Sequence, residues 1–199
     1  MFAGATSGGL WVNNNITSAA SAWTQVSGVP SNMSVTCITV DPQNTNIMYI
    51  GTGEVYTWGA VNGNGIYKSI DGGVTWINIF STSDVANIND RITFIQAIIA
   101  WRNPSTNLTE VYFGADAMNV NYAGGLNPGG TSETFGSNTI GVWRSTDGVN
   151  FARQTNASLQ FTAGKYVAPD SFTIDFAGNL FMGTKYSYVN AGGGGKVYK

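Results

Sequence analysis

The sequence predicts an all-β chain assembled from several small antiparallel sheets, and three observations carry that reading. Of the 199 residues, 26 are glycine, and asparagines cluster at Asn13, Asn14 and Asn15 and at Asn62 and Asn64. Both residue types tolerate positive φ and build tight turns, so the chain is cut into short segments. Stretches such as Val35-Thr36-Cys37-Ile38-Thr39-Val40 alternate with the period of a half-buried strand. No window of about 11 to 18 residues keeps an apolar face at helical spacing with capping residues at both ends.

Two landmarks recur in the same order. The first, an apolar or aromatic pair followed by Gly and a small residue, is Phe2-Ala3-Gly4-Ala5, Tyr49-Ile50-Gly51-Thr52, Tyr112-Phe113-Gly114-Ala115 and Phe181-Met182-Gly183-Thr184. The second is Gly9-Leu10-Trp11-Val12, Gly65-Ile66-Tyr67-Lys68, Gly141-Val142-Trp143-Arg144 and Lys196-Val197-Tyr198-Lys199. From residue 2 to 49, 49 to 112 and 112 to 181 the spacings are 47, 63 and 69 residues. A four-stranded unit takes about 40 to 50 residues, so the longer units carry inserted loops.

In the clearest unit, strands are expected at 35–40, 47–51, 65–69 and 75–79. The next unit places them at 94–101, 111–114, 140–145 and from Phe151, and a further first strand falls at 171–176. Pro42 and Pro104 stand just beyond strand ends, where a missing N–H costs nothing. Small sheets of this kind bury their apolar faces by stacking on neighbours. The expected fold is a partial β-propeller of about three four-stranded antiparallel blades plus the start of another, with approximate units 1–46, 47–109, 110–178 and 179–199. Closed propellers have about four or more blades, so this segment is expected not to close on itself. The remaining blades are expected to come from outside these residues.

Between the third and fourth strands of the clearest unit lies Ser69-Ile70-Asp71-Gly72-Gly73-Val74-Thr75-Trp76. It resembles the Asp-box, or BNR repeat, Ser-x-Asp-x-Gly-x-Thr-Trp. Ser145-Thr146-Asp147-Gly148-Val149-Asn150-Phe151 resembles a variant one residue shorter. The first unit departs from the pattern, because Trp11 and Trp23 are separated by Asn-rich sequence, and reads as a degenerate hairpin with a longer tip. Asp41-Pro42, Tyr49-Ile50-Gly51-Thr52-Gly53-Glu54 and the run from Gly65 to Trp76 also look like the blades of secreted, Bacteroidetes-like bacterial repeat proteins. The motif is similar to those in the propellers of sialidases, xyloglucan-active glycoside hydrolases and sortilin-type receptors. That resemblance implies an extracellular or cell-surface protein.

Within the motif, the framework residues are Ser69, Asp71, Gly73, Thr75 and Trp76, and Ser145, Asp147, Gly148 and Phe151. Asp71 can accept bonds from turn amides, Gly72 and Gly73 can occupy positive φ, and Trp76 can pack back over the hairpin. A carboxylate committed to its own turn is a poor proton donor or nucleophile, so neither Asp71 nor Asp147 is the first catalytic candidate. The resemblance places the binding face on the opposite connections, at 54–64, 80–92, 116–139, 154–169 and 186–193.

On that face, the expected ligand-binding residues are Tyr56, Trp58, Tyr122, Glu133 and Phe135, since aromatic rings stack on sugar faces and neutral polar groups pair with hydroxyls. The segment 116–139 is long for a blade connection and is expected to be an extended surface loop. Glu54 and Asp116 directly follow second strands and form the candidate catalytic pair, because glycosidic hydrolysis uses two carboxylates.

Composition limits the alternatives. Charged residues make up 10% of the chain and its net charge is -2, which disfavours nucleic acid, whose phosphates need a concentrated basic surface. No apolar run is long enough for a transmembrane helix. There is no histidine and one cysteine, Cys37, so zinc lacks a ligand set and Cys37 reads as a small buried hydrophobe. Calcium stays open, because oxygen ligands abound in the Gly-rich loops, although no EF-hand spacing occurs. No cofactor is expected and no metal site is assigned.

The function expected is a non-catalytic extracellular module for carbohydrate or protein binding within a larger secreted protein, with a glycan or a cell-surface protein as partner. The alternative is a fragment of a glycoside hydrolase built on Asp-box blades. Against specific enzyme families, the chain holds only Arg91, Arg102, Arg144 and Arg153 and no Arg-Ile-Pro segment of the sialidase kind. It carries Ser7-Gly8-Gly9-Leu10-Trp11 where xyloglucan-active enzymes have an acidic motif.

Overall fold

The computed structural model describes residues 1–55, 61–121, 132–187, 189 and 191–199. Turn residues cut these into short strands that pair with their sequence neighbours. The first sheet is β1 (Phe2–Gly4), β2 (Leu10–Val12) and β3 (Thr24–Gln25). The second is β4 (Val35–Val40), β5 (Met48–Thr52), β6 (Ile66–Ser69) and β7 (Ile77–Phe80). The third begins with β8 (Phe94–Arg102) and β9 (Thr109–Asp116), is interrupted by a hairpin of β10 (Met118–Asn121) and β11 (Ser132–Phe135), and ends with β12 (Gly141–Ser145) and β13 (Ala152–Arg153). A small hairpin, β14 (Gln160–Thr162) and β15 (Lys165–Tyr166), precedes the last sheet of β16 (Ala168–Ile174), β17 (Leu180–Lys185) and β18 (Val197–Tyr198).

All pairings are antiparallel, and the last three sheets repeat one register. Ile50 pairs with Tyr67, Phe113 with Trp143 and Met182 with Tyr198. The inner strands β4, β8 and β16 each carry one extra residue, at Thr36, Gln96 and Asp170, where the register shifts. Such a bulge bends its strand and re-aims one side chain.

Apolar side chains fill the spaces between sheets. Leu10, Val26, Val35, Ile50, Tyr67 and Trp76 join the first to the second. Tyr49, Ile66, Ile95, Ile98, Val111 and Phe113 join the second to the third. Val142, Val167 and Met182, with Tyr112, Phe172 and Tyr198, join the third to the fourth. The repeated glycine has a packing reason: a Cβ on Gly4, Gly51 or Gly114 would run into Val35, Ile95 or Pro169, a residue on the first strand of the following sheet. These contacts give an all-β stack of antiparallel sheets with the arrangement of a partial, unclosed propeller.

Strand positions follow the alternation closely where a clean turn bounds it, as at Val35–Val40, and depart where an insertion intervenes. The segment 116–139, expected as an extended loop, contains the paired strands β10 and β11, and Asp116 is the last residue of β9. The connection 154–169, expected on the binding face, folds into a short 3-10 turn at Ala157–Leu159 and the β14–β15 hairpin, tied by Val167 N–H to Leu159 O. Local ladder bonds satisfy the backbone that an open loop would leave to water.

The Asn-rich tip between β2 and β3 is closed by Asn13 Nδ2 to Ser21 Oγ and Asn15 N to Asn13 Oδ1, and Trp23 beyond it is exposed. Cys37 is half-buried, and desolvation pushes its thiol up to about 12. Among the described residues, no helix is long and apolar enough to cross a membrane.

Candidate functional site

The two ends of the sheet stack hold different chemistry. At one end are the turns after β6 and β12. Asp71 Oδ1 accepts from Ser69 Oγ at 2.8 Å, Val74 N at 3.0 Å and Thr75 N at 2.9 Å, and its Oδ2 accepts from Thr75 Oγ1 at 2.5 Å. These bonds, led by the Thr75 hydroxyl and amide, hold the carboxyl at about 2. Asp147 accepts from Ser145 Oγ, Val149 N, Asn150 N and Asn150 Nδ2, with the Asn150 side chain contributing most to lowering its pKa. Gly73 and Gly148 have positive φ and each donates its N–H to the hairpin serine at 2.8 Å. Trp76 is buried, its indole N–H donating to Gly73 O at 3.0 Å.

At the opposite end, strand termini from three sheets meet. Gly53 lies against Thr93 at the start of β8, since a Cβ on Gly53 would strike Thr93 O, and Gln96 Nε2 reaches Gly53 O at 3.4 Å. Asp116 sits opposite Phe94 in the β8–β9 register. Its Oδ2 forms an ion pair with Lys185 Nζ at 2.8 Å, and its Oδ1 accepts from Ala117 N at 2.8 Å and Ser187 Oγ at 3.5 Å. Glu54, Gln96, Asp116 and Ser187 are 3%, 6%, 2% and 0% exposed. Burial of so many polar groups in one place is costly unless each is bonded, yet Gln96 Oε1 has no hydrogen-bond partner among the described residues.

This end therefore brings Glu54 and Asp116 to the same rim, on either side of the start of β8. Phe135 is also there, buried on the wall of a pocket of about 190 Å³ shared with Asn62, Asn64, Ser83, Arg91 and Thr93. Glu133 occupies a register position opposite Val120. Tyr56, Trp58 and Tyr122 lie outside the described residues. Gln96 and Lys185 escaped the sequence reading, and Ser187 entered it only as part of the connection 186–193. Gln96 stands within an apolar strand, and only the bulge identifies it, whereas Lys185 reaches the site through sheet stacking that no local motif announces.

Glu110 and Asp41 are engaged elsewhere. Glu110 is buried and pairs with Arg144 through two bonds of 2.9 and 2.7 Å, with Tyr112 Oη and Asn103 Nδ2 also donating. Burial pushes its carboxyl up, but the Arg144, Tyr112 and Asn103 bonds together outweigh it and hold the group below its ordinary range. Asp41 accepts from Gln43 N and Thr109 Oγ1. Among the described residues, no three His, Cys, Asp or Glu side chains gather as a metal site.

No family model matches the chain, and no curated protein matches it. Among solved structures, the K499G mutant of NanB sialidase from Streptococcus pneumoniae aligns over 94% of this chain and 26% of its own, at 9% identity and a TM-score of 0.48. The GH74 enzyme of Niastella koreensis aligns over 94% of this chain and 31% of its own, at 15% identity and a TM-score of 0.38. The chain spans about a quarter to a third of their length. With both scores under 0.5, the likeness is a loose one among all-β, propeller-type folds and carries no argument about activity.

Proposed function

We propose that the chain is part of an Asp-box propeller of a secreted protein, and that the rim holding Glu54, Gln96, Asp116 and Lys185 is its carbohydrate-contact face. The observation that supports this reading is the buried polar cluster joining three sheets, with one amide oxygen, Gln96 Oε1, without a bond partner among the described residues. A hydroxyl-rich ligand supplies donors of that kind, and the adjoining pocket offers two asparagines, a serine, a threonine and Arg91 beside the ring of Phe135. Amide and hydroxyl groups around an apolar wall, with Arg91 as a further donor, suit the hydroxyls of a sugar better than a lipid.

Saturation-transfer NMR with a panel of neutral oligosaccharides tests the reading. Binding that is lost in Gln96→Ala and Arg91→Ala, while Trp23→Ala binds normally, supports it. No transfer to any oligosaccharide, or transfer unaffected by both substitutions, overturns it.

A second reading, hydrolysis, has its own observation. Two carboxylates, Glu54 and Asp116, are buried at one rim, Asp116 closing β9 and Glu54 lying just beyond β5, and glycosidic cleavage uses such a pair. Release of reducing ends from a bound oligosaccharide, abolished in Glu54→Gln and in Asp116→Asn, identifies this outcome. Cleavage that persists in both variants removes these residues from the role.

A further inference from the structure

Two arginines of the third sheet lie over tyrosine rings, and they differ in what meets their charge. Arg144 stands over Tyr112 at 5.9 Å, and its Nε and Nη2 bond the two oxygens of Glu110 at 2.9 and 2.7 Å. Arg153, the last residue of β13, stands over Tyr166 of β15 at 4.4 Å. Its Nη1 donates to Asn138 O, and no carboxylate pairs with it among the described residues. The Nε and Nη2 edge that holds Glu110 in the first arginine thus makes no hydrogen bond to the described residues in the second.

The surroundings fix that edge. Gly141 opens β12 beside the pair with φ 141°, and a Cβ there would lie 3.4 Å from both the Arg153 stem and Tyr166. Stacking on the ring and the bond to a backbone carbonyl set the guanidinium plane, and a planar carboxylate fits such a fork with two parallel bonds. Arg153 lines a cavity of about 250 Å³ with Ser137, Asn138, Ile140, Gly164 and Tyr166. Ile140 is buried and gives it an apolar wall. Asn138 Nδ2 donates to Asp90 Oδ1, while its Oδ1 accepts no bond among the described residues.

This cavity adjoins the pocket on Phe135. One turn supplies both, with Phe135 in the first and Ser137 and Asn138 in the second, and Thr139 Oγ1 ties that turn to Arg91 O at 3.0 Å. Each cavity is smaller than the roughly 300 Å³ at which small-molecule sites begin, so each suits one ring of a longer ligand.

We propose that Arg153, Tyr166 and Asn138 form a second subsite, for a uronic-acid unit of an oligosaccharide whose neighbouring unit enters the pocket on Phe135. Arg153 takes the sugar carboxylate through Nε and Nη2 as Arg144 takes Glu110, and Asn138 Oδ1 accepts from a ring hydroxyl. That the carboxylate belongs to a sugar rests on the carbohydrate-contact role proposed for the rim; the arginine fork does not.

Trigalacturonate and its methyl ester, titrated into the isotope-labelled chain and followed by NMR, test the subsite. Trigalacturonate should bind more tightly than the ester and should shift the Arg153 Nε–H resonance. Arg153→Lys keeps the charge but loses the fork, so it should weaken trigalacturonate about tenfold or more and leave the ester unchanged. Arg102→Lys should leave both unchanged. Raised salt should weaken the acid more than the ester. Acid and ester binding equally, with both lost in Gln96→Ala, overturns the subsite while the carbohydrate-contact role stands. Trigalacturonate binding that is indifferent to Arg153→Lys also overturns it. Triglutamate binding as tightly as trigalacturonate overturns the sugar assignment, and binding of neither sugar overturns both proposals.

Discussion

The turn end and the loop end of the sheet stack both hold aspartates at strand termini, yet these are held in opposite ways. Asp71 gathers its bonds from Ser69, Val74 and Thr75, within four residues, at the surface. Asp116 is buried, and its distant partners are Lys185 and Ser187, the latter 71 residues away. The first arrangement can form with its own hairpin, whereas the second exists only once the third and fourth sheets have stacked. A carboxylate of the first kind is spent on shape, while one of the second kind lies among polar groups from several elements, where ligand chemistry is built.

The comparison breaks most visibly at the ring the turn end carries. Trp76→Ala should cost about 3 to 5 kcal/mol in denaturant unfolding, because a buried indole leaves both a transfer loss and a cavity. A loss below about 1 kcal/mol would mean that the sheets close over the gap. Asp116→Ala should come next, at about 3 kcal/mol. Removing one partner of a buried ion pair costs about 3 to 5 kcal/mol, and Lys185, with 18% of its side chain exposed, can partly recover solvent. Asp116→Ala matching the unchanged chain in stability would mean that the pair contributes nothing.

Acid titration sharpens the contrast further. Asp71, Asp147 and Glu110 all have folded pKa values below their ordinary ones. Their stabilisation is therefore fully present above the ordinary carboxylate range and is lost as pH falls through the folded values, for Asp71 down to about 2. Stability measured from pH 7 downward should be level until about pH 5 and then decline. The decline should be shallower in Asp71→Asn, which has no proton to take up. An equal slope in that variant would place the acid sensitivity elsewhere. The smallest effect should be that of Thr75→Val, which removes one exposed side-chain donor to Asp71 while the Thr75 amide keeps its bond. A slight fall in Tm, less than for Trp76→Ala by a wide margin, is the expected scan.

Legibility in the sequence tracked the distance between partners. Val35–Val40 alternates between clear turn signals and folds as a strand over those residues. The Asn-rich tip before Trp23 closes on itself through Asn13, Asn15 and Ser21. In contrast, the pairing of β10 with β11 spans an insertion without strong alternation, so the segment read as loop. Phe135 read as a sugar platform on an extended loop and lies buried on a pocket wall shared with Arg91 and Thr93, residues more than forty positions away that no local pattern connects with it.

What the sequence by itself determined was the all-β class, the repeated strand pairs and the turns whose hydrogen-bonding partners lie a few residues apart. These follow from φ preference, alternation and side-chain-to-backbone bonds, all of them local. Only the tertiary structure decided that Gln96 and Lys185 join the rim on which Asp116 is buried, and that an open groove lies over Met182 and Tyr198. Those juxtapositions arise from sheet stacking, in which Gly51 and Gly114 admit the next inner strand and so fix which distant residues meet.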